Sequence, residues 1–227
     1  MRYKFDEVEV YFKERFNNIE EIMHSGKDFE AALVALCYID ALASLFQEGT
    51  TMKSRFINLL FSHGTIDGFR WDKINIAEFR KMEARSNLKS NICKTCYEKI
   101  KLYFDQRICD YEYCSPAKCL EKDKLFSQEI DDIIKFSNEK DCRCNVISEP
   151  LLRCLDDSTY AGILYREYRC EAVHKGKFNM SWSSLEKHFE KPHYVDVDNQ
   201  WPDFSIPPKF IIQTLEKCLL GLKNNNK

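Results

Sequence analysis

The spacing of hydrophobic residues along the chain predicts a protein built mainly of α-helices. Near the N-terminus, apolar side chains recur every three or four positions with Glu and Lys between them, which is typical of an amphipathic helix. They are Val8, Phe12, Phe16, Ile19 and Met23. Gly26 marks the end of this helix, and Asp28 can cap the next one.

The second predicted helix, over 29–47, is apolar nearly all round and contains one acid, Asp40. This pattern is typical of a central helix that is buried by its neighbours. Its apolar run is interrupted and short for a bilayer, which needs about 20 residues, so we expect no membrane span. The stretch MRYKFDEVEVYFKERF carries acids where a signal peptide needs an apolar run, so we expect a cytoplasmic protein.

Further helical patterns follow with short connections. They cover residues 52–64, 74–107 with a break near RSNLKSN, 122–138, 156–174 and 209–222. Two extended pieces, PHYVDV and WPDFSIPP, precede the last helix and predict a small hairpin. We therefore expect an all-α, antiparallel up-and-down helical bundle. It would be a single domain over 1–227, with a Cys-rich insertion at 91–145.

The composition limits the class of protein but names no partner. With 44% hydrophobic and 13% aromatic residues and only 7 Gly and 6 Pro, the chain can bury a core and is unlike a disordered protein. A formal net charge of −2 gives no overall attraction to nucleic acid. Any contact with RNA therefore requires a local basic patch. The stretch from Arg80 to Arg107 is locally basic, with Tyr97 and Tyr103 available for base stacking, although a solvated helix face fits it too.

Eleven cysteines in a reducing compartment favour metal ligation or simple burial over disulfides. The pair Cys93-x2-Cys96 is followed by Cys114-x4-Cys119, and two such pairs can supply the four thiolates of a structural zinc site. The second spacing departs from the usual x2. Structural zinc, buried or surface thiols, and redox chemistry therefore remain alternatives.

The stretch YREYRCEAVHKG concentrates reactive side-chain types at the end of a predicted helix. Cys170 and His174 are four residues apart and can share a proton or a metal on one helix face. Arg169 and His174 together offer a phosphate fork and a proton carrier. A charged helix end, with Arg166 paired to Glu167 in solvent, is the alternative without chemistry.

The letters RCEAVHKG resemble the Arg-x4-His motif of the HEPN superfamily, whose usual form is RNxxxHG. The resemblance extends loosely to the helix order: an early apolar helix with an embedded acid, the motif helix, and a closing helix after an extended segment. It implies a helical bundle that forms homodimers and, in active members, a ribonuclease that needs no metal. The family's polar residue after the arginine is Cys170 in this chain.

By this resemblance, His174 would be the base that activates a ribose 2′-hydroxyl, leaving a 2′,3′-cyclic phosphate. Arg169 would stabilise the phosphate charge, Arg166 would hold a second phosphate, and Asp40 or Cys170 would orient the site. A toxin or defence effector of this kind would act on RNA and have an antitoxin protein as partner. The alternative is a non-catalytic HEPN-like module, with or without zinc, that binds RNA, a nucleotide or a protein.

Overall fold

The structure, a computed structural model, describes six stretches of the chain. They are residues 5–86, 88–107, 122–138, 147–175, 190–195 and 203–225. Within these stretches most residues are helical and one short two-stranded sheet is present. The expected helical class and the small hairpin are therefore confirmed.

The helices follow one another in chain order, with the strands near the end. They are α1 (Phe5–His24), α2 (Asp28–Phe46), α3 (Met52–His63), α4 (Ile76–Arg85), α5 (Leu88–Asn91), α6 (Lys94–Asp105), α7 (Phe126–Asn138), α8 (Glu149–Asp157), α9 (Tyr160–Ile163), a π-helical segment (Leu164–Cys170), α10 (Glu171–Lys175), β1 (His193–Val195), β2 (Asp203–Ser205) and α11 (Pro208–Asn225).

The chain divides into two compact units. Unit 1 contains Met1–Trp71, Ala161–Pro192 and Ile206–Lys227, and unit 2 contains Asp72–Tyr160 and His193–Ser205. The chain thus leaves unit 1 and returns to it twice. A single domain with a Cys-rich insertion stays a prediction, because much of the predicted insertion lies outside the described residues.

Unit 1 is organised around α2, which packs against α1, α3 and α11. The buried residues of α2 are Ala31, Ala32, Ala35, Leu36, Ile39, Asp40, Leu42 and Ala43. Small alanines alternate with large aliphatic side chains, so neighbouring helices can approach closely on several sides. Helix α2 is therefore the central helix that its apolar pattern predicts, although Cys37 and Leu45 remain exposed.

Helix α2 is also, among the described residues, the one helix long and apolar enough to cross a membrane, with a mean hydropathy of 1.8. The central helix of a folded domain has the same length and composition. The packing of three helices of unit 1 against α2 accounts for its apolar character.

Unit 2 has a separate apolar core formed by α4, α6, α7 and α8. Phe79 of α4 stacks on Phe104 of α6, with ring centroids 4.0 Å apart. The two strands of this unit pair antiparallel, and Phe204 of β2 stacks on Tyr160 at 4.6 Å. Aromatic pairs at these distances contribute about 0.5–1.5 kcal/mol beyond the area they bury.

The helix predicted over 156–174 is interrupted, which corrects that prediction. Ser158 is the C-cap of α8, and the next helix begins only at Tyr160. The backbone at this point pairs with the segment just before α4. Asn75 N–H donates to Ser158 O at 2.8 Å, and Tyr160 N–H donates to Lys73 O at 3.0 Å. These long-range bonds take the place of hydrogen bonds within a helix. The hydrophobic periodicity of the sequence therefore did not predict the interruption between α8 and α9.

Candidate functional site

The motif helix contains a seven-residue π-helical segment, Leu164–Cys170, between α9 and α10. A π-helix closes its hydrogen-bonded turn over five residues instead of four and occurs often at functional sites. Tyr168 anchors the segment: its side chain is fully buried, and its hydroxyl oxygen accepts the N–H of Ile206 at 2.9 Å. The segment is thus held rigidly in unit 1.

Arg169 of the π-helical segment forms an ion pair with Asp40 of α2. Its Nη2 donates to Asp40 Oδ2 at 2.6 Å, and its Nε donates to the same oxygen at 3.2 Å. The two side chains are only 14% and 11% exposed. Charge-assisted bonds of this length, shielded from water, fix the guanidinium more firmly than a surface pair would.

An aromatic ring supports the same guanidinium from one side. Arg169 Cζ lies 5.4 Å from the centroid of the Tyr165 ring, within cation–π distance. Tyr165 in turn packs edge-on against Phe56 of α3, with centroids 5.3 Å apart. Arg169 is therefore held by Asp40 and Tyr165, on two different elements of unit 1.

The charge of Arg169 is stabilised in this position. Burial by itself lowers its pKa, but the hydrogen bonds and negative charge of Asp40 outweigh burial, so the pKa of Arg169 is raised overall. The other carboxylate oxygen, Asp40 Oδ1, is buried and has no hydrogen-bond partner within the described part of the chain. A buried oxygen without a donor is costly, so this side of the carboxylate can accept one more hydrogen bond.

Two cysteines lie beside this ion pair. Cys170 is hydrogen-bonded to the side chains of both Tyr165 and Arg169. Tyr165 and Cys170 are five residues apart, the spacing that a π-helical turn brings together. Cys37 of α2 is close enough to interact electrically with Asp40 and Arg169. Desolvation raises the pKa of the Cys37 thiol, Asp40 raises it further, and Arg169 partly opposes this.

The structure says less about the other two predicted residues of the motif, Arg166 and His174, than about Arg169. Arg166 pairs with Glu167, with Nε and Oε1 2.7 Å apart and both side chains about a quarter exposed, 25% and 30%. This is the pairing expected of a charged helix end. His174 belongs to α10, but its side chain lies outside the described part of the structure.

The predicted zinc ligands are only partly described. Cys93 and Cys96 stand at the start of α6, whereas Cys114 and Cys119 lie outside the described residues. Within the described stretches, no three His, Cys, Asp or Glu side chains are grouped closely enough to hold a metal ion. The zinc site stays a prediction.

The arginines at the two ends of the locally basic stretch, Arg80 and Arg107, form internal ion pairs. In unit 2, Arg80 contacts Glu83 at 2.6 Å and Asp105 at 3.1 Å. Tyr97 donates to Glu83, and this bond raises the pKa of Tyr97 to about 12. These partners lie close in space, so charge counting along the sequence overstated the free positive charge.

The other end of this stretch is paired in the same way. Arg107 contacts Glu129 at 2.5 Å, and Tyr103 donates to Glu129 at 2.7 Å. Burial, followed by the bond to Glu129, raises the pKa of Tyr103. Tyr97 and Tyr103 therefore use their hydroxyls inside unit 2, which supports the structural interpretation of this stretch.

One polar cluster of unit 2 had no signal in the sequence. Asp123 is 3% exposed and accepts hydrogen bonds from Tyr160 at 2.6 Å, Tyr194 at 2.9 Å and the N–H of Ile76 at 3.2 Å. Burial raises its pKa to about 7, although these hydrogen bonds and Arg107 act in the opposite direction. Its partners are 37, 71 and 47 residues away, so no local motif marks it.

Comparisons of the chain with protein-family models, curated proteins and solved structures found no match. The resemblance to HEPN proteins therefore rests on the Arg-x4-His spacing and the helix order alone.

Proposed function

We propose that the protein is a HEPN-like endoribonuclease that needs no metal and works through Arg169 and His174. The observation that supports this most directly is the fixed guanidinium of Arg169, held by Asp40 and Tyr165 in the helix that also carries His174. An arginine fixed before substrate binds loses less entropy on contact with phosphate, which is the form of preorganisation that favours catalysis.

The reaction transfers a phosphoryl group within the RNA, from the 5′-oxygen of one nucleotide to the 2′-oxygen of the preceding ribose. His174 removes the proton of a ribose 2′-hydroxyl, and the oxygen attacks the adjacent phosphorus. The bond to the 5′-oxygen of the next nucleotide breaks, that oxygen takes up a proton, and a 2′,3′-cyclic phosphate remains. Arg169 neutralises the charge that builds up on the phosphate oxygens, and Arg166 holds a neighbouring phosphate.

The proposal also covers the oligomeric state of the protein and its biological role. Two copies would form a homodimer with both motifs in one cleft, and each chain would be an up-and-down bundle with a Cys-rich insertion. A cytoplasmic toxin or defence effector of this kind would be neutralised by an antitoxin protein. No cofactor takes part in the reaction.

A cleavage assay on mixed RNA in the presence of EDTA tests the activity. Wild-type protein should release fragments with cyclic phosphate ends, and His174→Ala should lower the rate by about 10²–10⁴-fold, the usual contribution of a general base. Arg169→Lys should also lose activity, because lysine lacks the planar fork. Arg153→Ala, at an exposed arginine of unit 2, is the matched control. Intact RNA with wild type, or full activity in His174→Ala, contradicts the proposal.

A second candidate is a non-catalytic module that binds RNA or a nucleotide. The observation that favours it is that Asp40 already neutralises Arg169, while Cys170 replaces the usual polar residue of the motif. RNA that is bound by wild type, released by Arg169→Ala and never cleaved would favour this candidate.

Asp40→Asn separates two roles for the buried acid. If Asp40 positions Arg169 for catalysis, the substitution lowers kcat and leaves KM nearly unchanged, because binding does not need the fixed geometry. If Asp40 instead competes with the phosphate for Arg169, the substitution tightens RNA binding. Circular dichroism should accompany both measurements to establish that the variant is folded.

A further inference from the structure

Cys93 and Cys96 lie at the N-terminus of α6 in unit 2 and differ sharply in exposure. Cys93 is exposed and occupies the N-cap position, whereas Cys96 is fully buried in the apolar core of the unit. Neither is part of a disulfide in the structure. We propose that they form a redox pair, which becomes an internal disulfide by exchange with a low-molecular-weight disulfide.

The geometry brings the two residues together before any reaction. The sulfur of Cys93 accepts the backbone N–H of Cys96 at 3.4 Å, so it lies over the residue with which it would bond. Residues three apart are separated by about 4.5 Å along an α-helix, three rises of about 1.5 Å, and disulfides join Cα atoms about 4.4–6.8 Å apart. The first turn of α6 therefore needs no unfolding to close the ring.

The environment assigns a different role to each thiol. Cys93 is exposed at the N-cap of α6, so a dissolved disulfide can reach its sulfur. This sulfur is therefore the one placed for nucleophilic attack. Cys96 is shielded from such reagents and can react only with Cys93.

The exchange is balanced. The thiolate of Cys93 attacks one sulfur of the small disulfide, forms a mixed disulfide and releases one thiolate, which takes up a proton. Cys96 then loses its proton to solvent and attacks the Cys93 sulfur, expelling the second thiolate and closing the ring. The protein dithiol is oxidised by two electrons, and the small disulfide is reduced to two thiols.

Peptide mapping after equilibration with glutathione and glutathione disulfide tests the proposal. Lys94 separates the two cysteines, so trypsin yields the peptides SNICK and TCYEK, which remain joined only if the disulfide exists. Full-length protein should give the joined pair as the proportion of glutathione disulfide rises, and adding dithiothreitol should separate it. Cys37→Ser, which removes an exposed cysteine of unit 1, should leave the joined pair unchanged.

Two variants trap the separate steps. Cys96→Ala should accumulate a stable mixed disulfide on Cys93, because the resolving thiol is absent. Cys93→Ser keeps a good N-cap and should leave Cys96 unmodified, because that thiol is buried. The proposal is overturned if wild type yields no joined pair in excess glutathione disulfide. It is also overturned if purified protein holds zinc that Cys93→Ser abolishes.

Discussion

Unit 1 and unit 2 bury different kinds of side chain. In the described part of unit 1, the buried polar side chains are Asp40 and Thr214. Unit 2 buries a larger polar set: Asn75, Glu78, Arg80, Glu83, Asp123, Glu129, Ser158, Thr159 and Ser205. A buried charge is tolerated only when it is paired and hydrogen-bonded, so unit 2 depends on charge pairing to a degree that unit 1 does not.

This contrast between the units bears on how the Arg169–Asp40 ion pair is interpreted. Buried ion pairs recur in unit 2, where they connect the helices of its core. In unit 1 the same kind of pair occurs in an interior with few buried polar side chains, beside an aromatic ring and in a π-helical segment. The pair is therefore the feature of unit 1 on which the proposed role in binding or catalysis rests.

The largest effect should come from breaking the buried pair of unit 2. Arg107→Met leaves Glu129, which is fully buried, without its charged partner. We expect a loss of about 3–5 kcal/mol in the free energy of unfolding, the usual cost of removing one member of a buried pair. Urea unfolding followed by circular dichroism measures it. The matched control is Arg153→Met at an exposed pair, where about 0–1 kcal/mol is expected. Equal losses in the two variants would refute charge dependence.

In unit 1, a cavity should be nearly as damaging. Leu36→Ala removes a fully buried side chain of α2, and we expect a loss of about 2–5 kcal/mol. Leu220→Ala on α11, where the leucine is 47% exposed, should lose much less. The comparison between the units would fail if Leu36→Ala were tolerated as well as Leu220→Ala.

Asp123 should make the stability of unit 2 fall as the pH rises. Its folded pKa of about 7 lies above the ordinary value of 3.8, so the folded state holds a proton that the unfolded state has lost between these values. The contribution is complete below the unfolded pKa and disappears as the pH rises through about 7. Hydrogen exchange of α4 and α7 between pH 4 and 8 measures it. Asp123→Asn should remove this pH dependence; an unchanged profile would contradict the assignment.

His63 should act in the opposite direction and more weakly in unit 1. Partial burial lowers its pKa below 6.5, so the unfolded state binds a proton more readily. Its contribution is present above the unfolded pKa and is lost as the pH falls through the folded pKa. Relative to the intrinsic exchange rate at each pH, the protection of amides in α3 should therefore fall on acidification, and His63→Gln should reduce that response. Identical pH profiles in α3 and α4 would remove this distinction between the units.

Much of the helical framework was predictable because it follows local rules. The apolar run of α2 predicts a central helix, and Gly64 predicts the end of α3, where its N–H bonds to Leu60 at 2.9 Å. Pro207 and Pro208 predict the start of α11. In each case residues within one or two turns determine the outcome.

What escaped prediction depends on partners that are distant in the chain. The sequence marked Arg169 and noticed Asp40 as unusual, but their contact joins residues 129 positions apart. The basic stretch looked free because Glu129, which pairs with Arg107, lies outside it. The π-helical segment has no signature in its letters, since the same residues fit an α-helix equally well.

The π-helical segment also sets how the motif tolerates changes in length. Each of its turns holds one residue more than an α-helical turn. Deleting a single residue there would return one wide turn to ordinary winding and leave the following helix in register. The same deletion in α10, which spans most of the interval between Arg169 and His174, would rotate everything after it by about 100°, one residue's share of a 3.6-residue turn. The π-helical segment can therefore absorb a change in length that α10 cannot.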